Sequence, residues 1–303
     1  MNLADLKVEL QAALADRYRL ERQLGKGGMA TVFLAHELAH DRPVALKVLH
    51  PGLAETVGAD RFKREIRVAG SLDHPNVLRV LDSGEVNVFL WYTMPWVQGE
   101  TLHDLLQREH PLPVSRALAI ARGVGAALAY AHAQGVVHRD IKPDNILLEG
   151  DQVTVADFGV AQAVSEVHQK LTATGMIVGT PAYMSPEQAS GEEEIDGRTD
   201  QYALASILYE MVSGDAPFKG PTPTATLMRR FAGPPRPLRP VIDVPEAVER
   251  AILRALEKEP EARYATVGDF LDALEGKVVP PPATPPPAPP SERRGWLGGI
   301  FGR

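Results

Sequence analysis

The amino-acid sequence predicts an α+β protein in two lobes, and three features of the chain carry that expectation. Short strands punctuated by glycine dominate from Tyr18 to about Val48, and apolar stripes at helical spacing dominate after Gly99. After Lys277 proline and alanine displace both patterns. Strands gathered at one end of a chain and helices at the other form separate layers rather than the alternating units of a parallel sheet. The expected divisions are an N-terminal helix over 1–17, a folded unit over 18–275, a Pro-rich linker over 276–290 and an Arg/Trp/Gly tail over 291–303. Within the folded unit the lobes are expected at about 18–94 and 98–275.

Leu3, Leu6, Leu10 and Leu14 recur at helical spacing, which predicts a short amphipathic helix before the first strand. Thr31–Leu34 and Val44–Val48 fit half-buried antiparallel strands. Residues 59–72 predict a helix with Phe62, Ile66 and Ala69 on one face, and Val88–Trp91 a further strand. Ala117, Ile120, Ala121, Val124, Leu128 and Ala131 form one long helical stripe, closed by Gly135. Leu204–Val212, ended by Gly214, predicts a second buried helix. Val248/Ile252/Leu256 and Phe270/Leu271/Leu274 predict two more.

Composition narrows the function. With 303 residues, 44% hydrophobic and 23% charged, the chain can bury a substantial core. A net charge of −7 argues against a nucleic-acid partner, whose footprint would be basic. The absence of cysteine excludes disulfides, thiolate zinc sites and a cysteine nucleophile. No run of about 18 apolar residues and no signal-peptide pattern is visible, so the expected location is cytoplasmic.

The chemistry-bearing residues come in four groups. Gly25-Lys26-Gly27-Gly28-Met29-Ala30-Thr31-Val32 joins two strands, and glycines at that density let backbone N–H groups approach phosphates. The plain alternative is a tight turn. Lys47, within Val44-Ala45-Leu46-Lys47, needs an anion if its strand is buried, and water if the strand is an edge. Glu65, beside the Phe62/Ile66/Ala69 stripe, is a candidate partner, or else an exposed helical charge. The sharpest signal is His138-Arg139-Asp140-Ile141-Lys142-Pro143-Asp144-Asn145, followed about ten residues on by Asp157-Phe158-Gly159. Asn145 and Asp157 offer the hard oxygen ligands that magnesium prefers.

On these motifs the chain resembles the eukaryotic-like protein kinases, and within them the bacterial serine/threonine kinases, from about Tyr18 to Glu275. The resemblance implies the bilobal protein kinase fold, ATP as cosubstrate and magnesium, or manganese in its place. It implies that Leu24 and residues 25–32 (Gly25, Lys26, Gly27, Gly28, Met29, Ala30, Val32) cover the nucleotide, and that Lys47, paired to Glu65, holds its phosphates. By the same likeness Ala45, Val32 and Leu147 sandwich adenine, Met94 is the gatekeeper, and Pro95-Trp96-Val97 is the hinge. Asp140 resembles the catalytic base, Lys142 a stabiliser of the transferring phosphoryl group, and Asn145 and Asp157 the metal ligands.

Serine/threonine specificity is implied by Lys142 and by Gly179-Thr180-Pro181-Ala182-Tyr183-Met184-Ser185-Pro186-Glu187, with Thr180 beneath the substrate hydroxyl. Arg139 beside Asp140 implies control by phosphorylation of the segment 159–186, and Thr172 and Thr174 match the threonine pair of bacterial relatives. Autophosphorylation in trans implies transient self-association. Glu187 and Arg263 resemble a buried structural ion pair. Asp200 resembles a brace for the catalytic loop, although its position also fits a helix N-cap. Departures are small: Ala30 stands for a third glycine, and Ser185 for the alanine of Ala-Pro-Glu.

Rival readings are a nucleotide-binding scaffold without turnover and a small-molecule phosphotransferase on the same fold. Asp140, Asp157, Asn145 and Lys47 together argue against the first. The run Lys142-Pro143-Asp144-Asn145 argues against the second. A third, an interaction module built around the tail, finds support only within 276–303. The tail itself is expected to be disordered; contact of Trp296, Leu297, Ile300 and Phe301 with an anionic membrane is the lesser reading.

Overall fold

The computed structural model describes residues 3–52, 54, 58–87, 89–159 and 181–279. A five-stranded antiparallel sheet forms the first lobe from β1 (Tyr18–Lys26), β2 (Ala30–Glu37), β3 (Arg42–Leu49), β4 (Asp82–Val86) and β5 (Phe89–Pro95). Its order is β1-β2-β3-β5-β4, so β3 is central and flanked on both sides.

Strand periodicity then sorts the side chains between two faces. On β3, Val44, Leu46 and Val48 join an outer cluster with Phe33, Phe89 and Trp91. Ala45 and Leu49 join the inner cluster with Tyr92 and Met94. Lys47 falls between Ala45 and Leu49, which sets it on the inner face, and its cross-strand partner is Tyr92. A central strand leaves no edge for that lysine to turn towards water.

Helix α1 (Leu3–Ala13) covers the outer face, burying Leu6 and Leu10, with Leu14 just beyond its end. Gln11 ties it to the free edge of β1, donating to Tyr18 O (3.1 Å) and accepting from Leu20 N (2.7 Å). A side-chain amide thus supplies the pairing that an edge strand otherwise offers to another chain. On the inner side, α2 (Ala59–Gly70) buries Phe62, Glu65, Ile66 and Ala69.

The second lobe contains β6 (Glu100–Thr101), α3 (Leu102–Arg108), α4 (Val114–Ala133), β7 (Ile146–Glu149), β8 (Gln152–Val155) and α5 (Pro186–Ser190). It continues with α6 (Arg198–Ser213), α7 (Pro223–Ala232), α8 (Glu246–Ala255) and α9 (Val267–Leu274). α6 is its axis: 13 of its 16 residues are buried. The sequence stripe marked only one face of α6, but a helix packed on all sides also buries its polar residues Thr199, Asp200, Gln201 and Ser206. Gly135 (φ 74°) and Gly214 (φ 86°) follow α4 and α6 in the left-handed conformation that ends a helix.

The lobes are joined through the chain after α2, where Val155 N donates to Asn76 O (2.8 Å) and Leu78 N to Val155 O (2.8 Å). The strand expected at Val88–Trp91 begins at Phe89 and runs on to Pro95. It is buried on both faces, so no alternation marked its end; Val88 lies outside the described residues. Among the described residues no helix is long and apolar enough to cross a membrane. The Pro-rich linker from 280 onward and the Arg/Trp/Gly tail lie outside the described residues.

Candidate active site

The loop between α4 and β7 carries the acid, the lysine and the amide. Lys142 Nζ donates to Asp140 Oδ2 (2.6 Å), and Asn145 Nδ2 donates to Asp140 O (2.8 Å) and Oδ2 (3.3 Å). Burial pulls the Lys142 ammonium down, but the charge and hydrogen bond of Asp140 outweigh it and hold Lys142 above its ordinary range. Since the Asn145 nitrogen is engaged with Asp140, its amide oxygen is the atom left to a cation.

Two buried residues hold this loop in shape. His138, fully buried, donates from Nε2 to Ala156 O (2.8 Å) and accepts Asp140 N at Nδ1 (3.2 Å). A neutral ring with the proton on Nε2 makes both bonds at once. Arg139 has φ 67°, a conformation that side chains rarely adopt. Asp200 holds it there, accepting His138 N and Arg139 N, each at 2.8 Å, while His132 Nε2 lies 2.8 Å from Asp200 Oδ2. From the other side Gln188 Nε2 donates to Arg139 O (2.7 Å). Asp200 therefore does not cap its own helix: the N-cap of α6 is Gly197, and Asp200 lies inside the first turn.

Asp157 follows β8, again at positive φ (69°). Its Oδ2 accepts Lys47 Nζ and its Oδ1 accepts the Tyr92 phenol (2.6 Å). Burial pushes the Asp157 carboxyl up, but the Lys47 charge and the bonds from Lys47 and Tyr92 prevail, holding it below the usual carboxylate range. Burial, then the charge of Asp157, drives the Tyr92 phenol well above its ordinary value. The expected Lys47–Glu65 pair is therefore corrected: Lys47 pairs with Asp157, and buried Glu65 has Arg64 Nη2 at 3.4 Å. Lys47 and Asp157 are both mostly withdrawn from water, and each compensates the charge of the other. Gly159 (φ 77°) packs against α2, where a Cβ would meet Glu65 O at 2.8 Å.

The glycine-rich segment spans the turn from β1 to β2. Gly25 and Lys26 pair with Val32 and Thr31, and Gly27 N donates to Ala30 O (2.9 Å). Gly25, Gly27 and Gly28 all lack positive φ, so a turn requirement does not explain them. No atom lies within 4 Å of a Cβ built at Gly25 or Gly28, and the bare backbone is open to a ligand. Ala45, Met94 and Ala30 are buried in one apolar cluster, with Leu24, Met29, Val32, Val97 and Leu147 packed against it. Trp96 is half-buried just beyond β5 and outside that cluster.

Oxygen donors on Asn145 and Asp157 suit a hard divalent cation that takes most of its shell from phosphates and water. No cluster of three or more His, Cys, Asp or Glu able to hold a metal occurs among the described residues. Below the site, Glu187 and Arg263 form a two-pronged pair at 2.8 Å, both buried. Thr172, Thr174 and Thr180 lie outside the described residues. Sequence reasoning missed Tyr92, Gln188 and the ring of His138. Only the period-2 placement of Tyr92 opposite Lys47 could have pointed to any of them.

The sequence matches the protein kinase domain family over residues 18–270. It is 39% identical over 287 residues to the serine/threonine-protein kinase pkn3 of Myxococcus xanthus, covering 91% of this chain and 52% of that protein. It is 38% identical over 280 residues to PknB of Mycolicibacterium smegmatis, covering 89% of this chain and 45% of that protein. The chain thus spans about half the length of these curated relatives. A solved structure of Rad53 1–466 in complex with AMP-PNP superposes with a TM-score of 0.72 at 25% identity, covering 86% of this chain and 65% of that one. A match of this extent, on a two-lobed fold with its loops arranged as described, makes the chain a member of the protein kinase domain family.

Proposed function

We propose that this chain transfers the γ-phosphoryl group of ATP to serine or threonine hydroxyls of proteins. The observation that carries the reading is the joined set Lys142–Asp140–Asn145, with a second carboxylate, Asp157, fastened to Lys47 and near enough for its charge to act on Lys142.

In this reading the substrate hydroxyl approaches Asp140, its oxygen forms a bond to the γ-phosphorus, and the bond from that phosphorus to the β-phosphate bridging oxygen breaks. ADP leaves, and the hydroxyl proton passes to the Asp140 carboxylate. A loose transition state demands little deprotonation before bond formation, so an ordinary carboxylate serves chiefly by positioning the nucleophile. Lys142, bonded to Asp140, orients that carboxylate and sets a positive charge beside the transferring group. Magnesium, held through Asn145 and Asp157, would neutralise charge on the phosphates. The apolar cluster around Ala45, Met94 and Leu147 suits a flat purine, and Lys47 suits its phosphates.

Phosphorylation at Thr172 or Thr174, by a second copy of the chain and read through Arg139, is the regulation we propose. Purified protein given labelled ATP and magnesium beside Asp140→Asn, followed by phosphosite mapping, tests both ideas. Label on protein seryl or threonyl groups in the native protein alone is expected. No incorporation, with nucleotide binding intact, would turn the reading towards a scaffold. Full activity in a Thr172→Ala/Thr174→Ala variant would remove the switch and leave the enzyme.

A further inference from the structure

We propose that His50 is a positioning residue that clamps the glycine-rich loop to β3, so that the loop and Lys47 meet the nucleotide phosphates as one unit. The proposal rests on the reading of residues 25–32 as a phosphate-covering loop.

β3 ends at Leu49, whose partner on β2 is Ala30. The next residue carries the pairing one step further, since His50 N donates to Met29 O (2.9 Å). Its imidazole then reaches one residue in the turn, Gly28, and one on β2, Thr31. Nδ1 lies 3.1 Å from Gly28 O, and Nε2 lies 3.1 Å from Thr31 Oγ1. A carbonyl oxygen can only accept, so Nδ1 carries the proton. In the neutral ring Nε2 then accepts from the Thr31 hydroxyl, which is fully buried. His50 O in turn accepts Ala54 N (3.0 Å), anchoring the clamp in the chain that leads to α2.

Three bonds from one residue thus tie Gly28 and Met29, where glycine otherwise leaves the backbone freest, to the buried Thr31 on β2. Lys47 is three residues before His50, on β3, and His50 directly follows the end of that strand. A loop fastened there loses less freedom on closing over phosphates, and that difference appears as nucleotide affinity. The backbone bond of His50 survives any substitution except proline, so side-chain variants isolate the imidazole.

The test is ATP, ADP and adenosine binding by the full chain, with the KM for ATP and kcat, in His50→Ala, His50→Asn, Thr31→Val and Gly27→Val. His50→Ala is expected to weaken ATP and ADP about thirtyfold, the worth of two ordinary hydrogen bonds. Adenosine, with no phosphates under the loop, binds as in the native protein, and the effect falls on KM more than on kcat. His50→Asn places an amide nitrogen where Nδ1 sits and recovers part of the loss; Thr31→Val reproduces the other part. Equal weakening of adenosine and ATP would mark damage to the whole lobe and overturn the clamp. Native ATP affinity in His50→Ala, with Gly27→Val impaired, would overturn the clamp alone. Native ATP affinity in Gly27→Val would overturn the phosphate-loop reading, and the clamp with it.

Discussion

The phenol of Tyr92 and the carboxylate of Asp157, 65 residues apart in sequence, meet at 2.6 Å, on the oxygen opposite the one that accepts Lys47. Asp157 is thereby held from β3 and β5 together, across the boundary between the lobes. Tyr92→Phe keeps the ring among its apolar neighbours and removes only the donor. A hydrogen bond to a charged group is worth about 1.5–3 kcal/mol, so the thermal midpoint should drop by several degrees. Phosphotransfer should fall while the fold persists. An unchanged midpoint and rate would show that Lys47 suffices to hold Asp157.

Arg139 sits at φ 67° between Asp200, which accepts its N–H, and Gln188, which donates to its carbonyl. Asp200→Ala strands two loop N–H groups, and buried unpaired donors cost about 1–3 kcal/mol each. The expected result is a loss of about 2–6 kcal/mol in denaturant unfolding together with loss of activity. Gln188→Ala, which frees only the carbonyl, should be milder on both measures. Equal effects from the two variants would contradict this division of labour.

The Glu187–Arg263 pair predicts a pH dependence of stability. Burial pushes the Glu187 carboxyl up, yet the Arg263 hydrogen bonds and charge hold it below its ordinary range. A carboxylate whose folded pKa is depressed contributes stability above its unfolded value, near 4.3, and loses it as pH falls through the folded value. Arg263→Ala leaves a buried carboxylate unpaired and should cost about 3–5 kcal/mol at neutral pH. Glu187→Met/Arg263→Met should cost less than that single change and flatten the acid limb of the stability curve below about pH 4. A double variant as unstable as Arg263→Ala would show that the pair is not what the single substitution disrupts.

Leu10 is fully buried between α1 and the outer face of the sheet. Leu10→Ala should cost about 2–5 kcal/mol, as core leucine truncations do, if α1 folds cooperatively with the lobe. Urea unfolding would show this as a lower midpoint in one transition. A native midpoint would mean that α1 contributes nothing to the lobe it covers.

Much of the fold was legible because periodicity is local: the stripes of α2, α4 and α8 and the glycines after α4 and α6 stand in the chain as written. The clustering of Asp140, Lys142 and Asn145 was legible too, since six residues of loop cannot separate them far. Less legible was anything fixed by register. The sequence allowed Lys47 an edge position or Glu65 as partner; a central β3 removes the first, and the placement of Asp157 beneath Tyr92 removes the second.

By itself, then, the sequence determined which residues carry charge, which faces are apolar, where helices stop, and that one short loop concentrates an acid, a base and an amide. The tertiary structure decided which charges neutralise one another and which strained backbone is held. Those outcomes join residues 49 to 110 positions apart: Arg139 with Gln188 and Asp200, Lys47 with Asp157, and Glu187 with Arg263. The energy of such a pair depends on distance and on how much water remains between the partners, and only the packed core sets those two quantities.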